Sequence, residues 1–189
     1  MVGITRFNIT EKTTGPGRWR FEESQKYWPV ANALYREIFI DLEMPLLPGE
    51  EIIDCTKGEF QSGYDYQLGI DVVLRPQGQG ESTMQEKFLF TDFYTITVEH
   101  CQDWLNLEPG DWYKLKAQYY FVGYATKGSL QFNRWRLLDW ARLQRATAKR
   151  RIPWQLRGNL KDNARASFMY VEFNKLPPDV IVAPTHSLF

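Results

Sequence analysis

The chain has 189 residues, 43% apolar and 15% aromatic, and its 23 basic and 23 acidic side chains give a formal net charge of zero. That length and apolar content support one folded domain with a sizeable core and exclude a disordered polyelectrolyte. No apolar run reaches the length of a transmembrane helix, no signal-peptide apolar region opens the chain, and Cys55, Cys101, His100 and His186 are too few for a disulfide scaffold or an ordinary zinc site. A cytoplasmic protein without a membrane partner is expected.

Residues 1–20, polar and carrying Thr13-Thr14-Gly15-Pro16-Gly17, read as a flexible arm preceding a single domain over 21–176. The apolar spacing Ala31, Leu34, Ile38 predicts a helix over 24–40, in which Pro29 is tolerated only within the first turn. Ala33, Glu37 and Asp41 fall on a neighbouring face. Pro45 and Pro48-Gly49 close this segment. Residues 51–54 fit a short strand or the end of a loop. Residues 60–66 read as a loop, with Asp65 either incidental or an outlying carboxylate.

The stretch 69–90 holds two short apolar runs joined by a polar turn, the pattern of a β-hairpin. Each run contains a misfit: Asp71 in the first, and Gln85-Glu86-Lys87 at the opening of the second. Side chains alternate across a strand, so Gln85 and Lys87 share a face and Glu86 points away. A hairpin can bring Asp71 beside them. Ionisable groups are costly to bury unless paired or metal-bound. An Asp71–Lys87 ion pair in the interior, or an edge strand with Gln85 and Lys87 in water, are plain structural explanations of the same pattern.

Beyond the hairpin, β-branched and aromatic residues predict a third strand over 93–99. Asp111 is suited to N-cap a helix reaching about Tyr124. Residues 132–138 predict a strand, 140–150 a basic helix ended by Pro153, and 166–173 a last strand; 177–189 reads as a tail. The resulting order is helix, three strands, helix, strand.

An aspartate on one strand followed by acid-x-lysine on the next resembles the PD-(D/E)XK nuclease superfamily, which includes type II restriction enzymes, archaeal Holliday-junction resolvases and RecB-type exonucleases. The matching residues are Asp71 and Gln85-Glu86-Lys87, and the resemblance spans about residues 25–140. It implies an α/β, restriction-endonuclease-like fold with an αβββαβ core, its central mixed sheet flanked by helices, and the three residues converging in a cleft at the sheet edge. It also implies Mg²⁺ (or Mn²⁺) held by Asp71 and by the amide oxygen of Gln85, with Lys87 orienting the attacking water. Catalytic roles thus fall to Asp71, Gln85 and Lys87. Glutamine replaces the commoner acid and removes one negative charge, and at an effective dielectric near 20 a unit-charge pair in contact is worth roughly 4 kcal/mol. A compensating carboxylate is therefore wanted. Glu37, from the first helix, is the leading candidate as a further metal ligand; Glu86 is the second and requires a bulge to turn inward.

Charge is uneven along the chain. Between Arg134 and Arg165 ten basic residues face only Asp139 and Asp162. Arg142, Arg145 and Lys149 share a helical face and form the expected nucleic-acid-binding surface, unless they are simply a solvated helix. The implied function is a metal-dependent nuclease acting on nucleic acid, DNA in the first place, with a homodimer as an admissible assembly. The alternative is a protein of the same fold that binds nucleic acid without cleaving it.

Overall fold

The computed structural model describes residues 18–46, 52–58, 61–90, 94–126, 128–158 and 165–183. The expected arm over 1–17 and the last residues of the expected tail, 184–189, lie outside them. In chain order the elements are α1 (Arg18–Asp41), β1 (Ile52–Asp54), the helical turn α2 (Tyr66–Leu68), β2 (Val72–Leu74), β3 (Ser82–Leu89), β4 (Thr95–Asp103), β5 (Glu108–Pro109), α3 (Asp111–Lys114), β6 (Tyr119–Ala125), β7 (Phe132–Asp139), α4 (Trp140–Ala148), β8 (Gln155–Gly158) and β9 (Ser167–Glu172).

A mixed sheet organises the molecule, with strand order β1-β2-β3-β6-β7. β3 and β6 run parallel, and every other neighbouring pair is antiparallel. One face is covered by α1, whose Tyr27, Ala31, Tyr35, Ile38 and Phe39 recur at helical spacing and are all buried. They meet Val72, Leu74, Met84, Phe121 and Leu137 of the sheet. Phe121 is the hub of this layer: its ring stands edge-on to Tyr35 at 5.0 Å and stacks with Trp135 at 6.2 Å. Because α1 starts at Arg18, Pro29 lies well inside the helix, not in its first turn.

The other face packs on a second, antiparallel sheet of order β5-β4-β9-β8. Ile96 and Val98 of β4 and Met169 and Val171 of β9 alternate inward onto Tyr120, Val122, Tyr124 and Leu138. Here the predicted element order changes. The strand expected third in the central sheet is β4, and it founds this second layer by pairing with β9. The position beside β3 goes to β6. The helix expected from Asp111 to about Tyr124 has four residues and gives way to β6, all seven residues of which are buried. A strand covered on both faces is apolar throughout and does not alternate, so its periodicity cannot separate it from a buried helix.

α4 matches its prediction. The Asp139 carboxylate accepts from the Arg142 backbone N–H at 2.8 Å as the N-cap, and Trp140, Leu143, Ala146 and Thr147 form the buried face. At its other end Arg150 takes a left-handed φ of 54°. Its N–H donates to Thr147 at 2.9 Å, and that of Arg151 to Ala146 at 2.9 Å, the Schellman arrangement. Residues 177–183, the first part of the expected tail, dock on the core. Val180 is fully buried, Ile181 bridges Leu138, and the Val182 N–H donates to Leu137 at 2.9 Å.

Candidate metal and nucleic-acid site

Asp71 stands at the head of β2. Its N–H donates to Met84 at 3.0 Å and its carbonyl accepts from the Cys55 N–H at 2.7 Å. The β2–β3 register pairs Val72 with Met84, which sets Asp71 opposite Gln85 on the same face. Gly69 makes this entry possible. It closes α2 in the left-handed region at φ 60°, and a Cβ there would lie 2.3 Å from the Leu115 side chain. Asp71 is buried at 8% exposure. Its Oδ2 accepts from the Gln85 side-chain Nε2 and, at 2.9 Å, from the Glu86 backbone N–H. The expected meeting of Asp71 and Gln85 is thus seen. β3 is the central strand of the mixed sheet, however, so they meet mid-sheet and not at its edge.

Lys87, half-buried, follows Gln85 on the same face, beside Val122 of β6. Its charge acts on Glu99 of β4. Burial, followed by the Asp111 carboxylate, pushes Glu99 up to about 7, while Lys87 and Lys114 pull it down. Gly110 lets α3 approach this closely: a Cβ there would sit 2.5 Å from the Glu99 carbonyl oxygen. The side chain of Lys114 donates to Gln102 at 2.7 Å. Lys87, Asp111 and Lys114 thus all act on Glu99. The sequence points to no role for Glu99 or Asp111 beyond strand and cap, and nothing in their local pattern marks them; only the second sheet brings them near.

The candidates for the compensating carboxylate lie elsewhere. Glu37 is exposed on α1, and the buried face of that helix covers the side of the sheet opposite Gln85 and Lys87. Glu86 also points to the α1 side, since no bulge interrupts β3 there. It accepts from the Tyr35 hydroxyl. Burial, reinforced by Asp71, drives its carboxyl well above the usual range. Acids do gather near Asp71 from another direction. Cys55, adjacent to it in the sheet, has its thiol pushed up to about 11 by burial first and then by Asp54, Asp71 and Asp65. Asp65 is itself buried.

Among the described residues no group of three or more His, Cys, Asp or Glu side chains is arranged to hold a metal ion. The donor chemistry at Asp71 nonetheless fits a hard divalent cation that keeps most of its water: one carboxylate and one side-chain amide, with the Asp71 charge felt by both Cys55 and Glu86. The Gln85 amide points Nε2 at Asp71, the stable orientation when nothing positive lies between them; rotating it by half a turn presents its oxygen instead.

The basic residues of α4 line a separate surface pocket of about 240 Å³, formed by Arg142, Arg145, Ala146, Lys149, Arg151 and Asp179. Helical spacing does not reach Arg151, which lies past the helix end. The Lys149-Arg150-Arg151 run is its only signal in the sequence. Compared with known families, curated proteins and solved structures, the chain matches none.

Proposed function

We propose that the protein is a metal-dependent nuclease of the PD-(D/E)XK type, with Asp71, Gln85 and Lys87 as its working residues and nucleic acid as its partner. The observation that carries this reading is the alignment of a buried Asp71 with Gln85 across the β2–β3 ladder, Lys87 following on the same face. The helix followed by the antiparallel run β1-β2-β3, with Asp71 heading the middle strand, supports it further.

In this reading Asp71 and the Gln85 amide oxygen hold the ion. A bound Mg²⁺ or Mn²⁺ supplies Lewis acidity toward the phosphate and acidifies a water. Lys87, anchored on the central strand, orients the attacking water and stabilises the charge that builds up on the phosphoryl oxygens. Glu99 sets the electrostatic surroundings of Lys87. The Glu86 N–H fixes one oxygen of Asp71, so the carboxylate presents a defined edge. The second layer, with Ile96 and Val98 buried at its centre, backs this part of the sheet, while Gln85 and Lys87 themselves stay half-exposed.

A second reading is favoured by one observation: the Gln85 amide already satisfies Asp71 without a cation. On that reading the protein binds nucleic acid and does not cleave it. A nicking assay on supercoiled plasmid separates the two. Wild type should relax plasmid only when Mg²⁺ or Mn²⁺ is present, and Asp71→Ala and Lys87→Ala should each lower the rate at least about a hundredfold. Plasmid bound but never nicked by wild type moves the assignment to the binding protein.

A further inference from the structure

We propose that the pocket on α4 seats a terminal phosphate monoester, and, resting on the nuclease reading, that this phosphate belongs to a nucleic-acid end. Four cations line the pocket, Arg142, Arg145, Lys149 and Arg151, with Asp179 the one acid among its lining residues. Asp179 is fully engaged by Arg151, whose two terminal nitrogens donate to its two oxygens at 3.0 and 2.8 Å. Arg142 pairs with Asp139 at 3.2 Å and donates to the Asp179 carbonyl at 3.1 Å. Arg145 and Lys149, one helical turn apart, make no ion pair with any described residue.

Two positive charges that pair with no acid among the described residues therefore face one concave space. A phosphate monoester carries about −1.5 to −2 at neutral pH and three strong acceptor oxygens. An internal diester has a single charge and leaves the pocket unbalanced. The arginine fork suits two oxygens of such a group, and the lysine adds a point charge. A volume of about 240 Å³ equals that of roughly eight liquid water molecules. It admits a phosphate with part of its hydration.

A helix C-terminus ordinarily repels anions through its unpaired carbonyls. Here the backbone reduces that repulsion. The carbonyls of Arg145, Ala146 and Thr147 accept from Lys149, Arg151 and Arg150 at 3.0, 2.9 and 2.9 Å. The same turn, through the left-handed Arg150, folds Arg151 back beside the last helical turn. A strained non-glycine residue at such a turn is the kind of feature that accompanies a ligand site.

The test is fluorescence anisotropy with the full chain in EDTA, so that no cleavage intervenes. The probes are one labelled oligonucleotide with a 5′-phosphate, the same with a 3′-phosphate, and the same with hydroxyls at both ends; adenosine monophosphate is the competitor. One phosphorylated probe should bind about tenfold more tightly than the hydroxyl probe. Arg145→Ala and Lys149→Ala should erase that difference with the circular dichroism spectrum unchanged, and Asp71→Ala should preserve it. Adenosine monophosphate that binds wild type but not Arg145→Ala, with no oligonucleotide bound, upholds the phosphate seat, makes a small metabolite its source and removes support for the nuclease reading. Equal affinity for all three oligonucleotides, with no competition by adenosine monophosphate, overturns the seat and leaves the nuclease reading standing.

Discussion

Individual carboxyls in this protein are held in different states by their surroundings. Glu86, half-buried, accepts from Tyr35 and lies near Asp71, and desolvation first and then Asp71 drive its carboxyl well above the ordinary range. A glutamate that keeps its proton in the fold but releases it near pH 4.3 when unfolded binds more protons in the native state across that interval. Its stabilising contribution is complete below about pH 4.3 and is lost as pH rises toward the native value. Glu99, raised to about 7, adds a loss of the same sign between its unfolded value and neutrality. Glu86→Gln keeps an acceptor for the Tyr35 hydroxyl and carries no charge to bury. It should raise the unfolding free energy at pH 7.5 by about 1–3 kcal/mol and flatten the pH dependence of chemical denaturation. Tyr35→Phe should do the opposite, lowering stability by about 1–3 kcal/mol, because the buried carboxyl loses its donor.

Elements show where the sequence was legible and where it was not. The helix over 24–40, the strand over 166–173 and the basic helix were readable because each presents one apolar face to one core, so the period survives in the residues; the strand over 132–138 was readable although it feeds both cores, Leu137 facing α1 and Leu138 the second sheet. β6 was not, since Tyr119–Ala125 is covered on both sides. β4 was recognisable as a strand, but its sheet was not, because strand partners are set by pairings distant in sequence: Thr95 meets Glu172. At the site, Asp71 opposite Gln85 was readable from alternation and a hairpin. The Asp54, Asp65 and Glu99 surroundings were not, since they converge from β1, the turn before α2 and a second sheet. Two substitutions test the element-level packing. Arg150→Gly should relieve a left-handed φ of 54° and raise stability by about 1 kcal/mol in thermal denaturation. Gly123→Ala should destabilise by about 1–3 kcal/mol, since a Cβ there would lie 2.6 Å from the Phe132 ring.

The whole molecule is a mixed sheet between a helix and a second sheet, with an acidic point at mid-sheet and a basic pocket on α4. Net charge is zero, so any affinity for nucleic acid comes from local charge. Replacing Arg142, Arg145 and Lys149 together by Glu should weaken DNA binding and reduce the slope of log affinity against log salt by about 2, one unit each for the Arg145 and Lys149 charges that pair with no described acid. An unchanged slope in an anisotropy titration would make α4 an ordinary solvated helix. The nuclease reading stands or falls on something narrower: Asp71 and Gln85 together hold a divalent cation. Calorimetric titration of Mn²⁺ into wild type, Gln85→Glu and Asp71→Ala tests it. One ion should bind wild type, Gln85→Glu should bind it more than about tenfold more tightly because a carboxylate replaces a neutral ligand, and Asp71→Ala should not bind it. Equal affinity in Asp71→Ala and wild type, or no binding by either wild type or Gln85→Glu, would rule out a metal centre built on this pair.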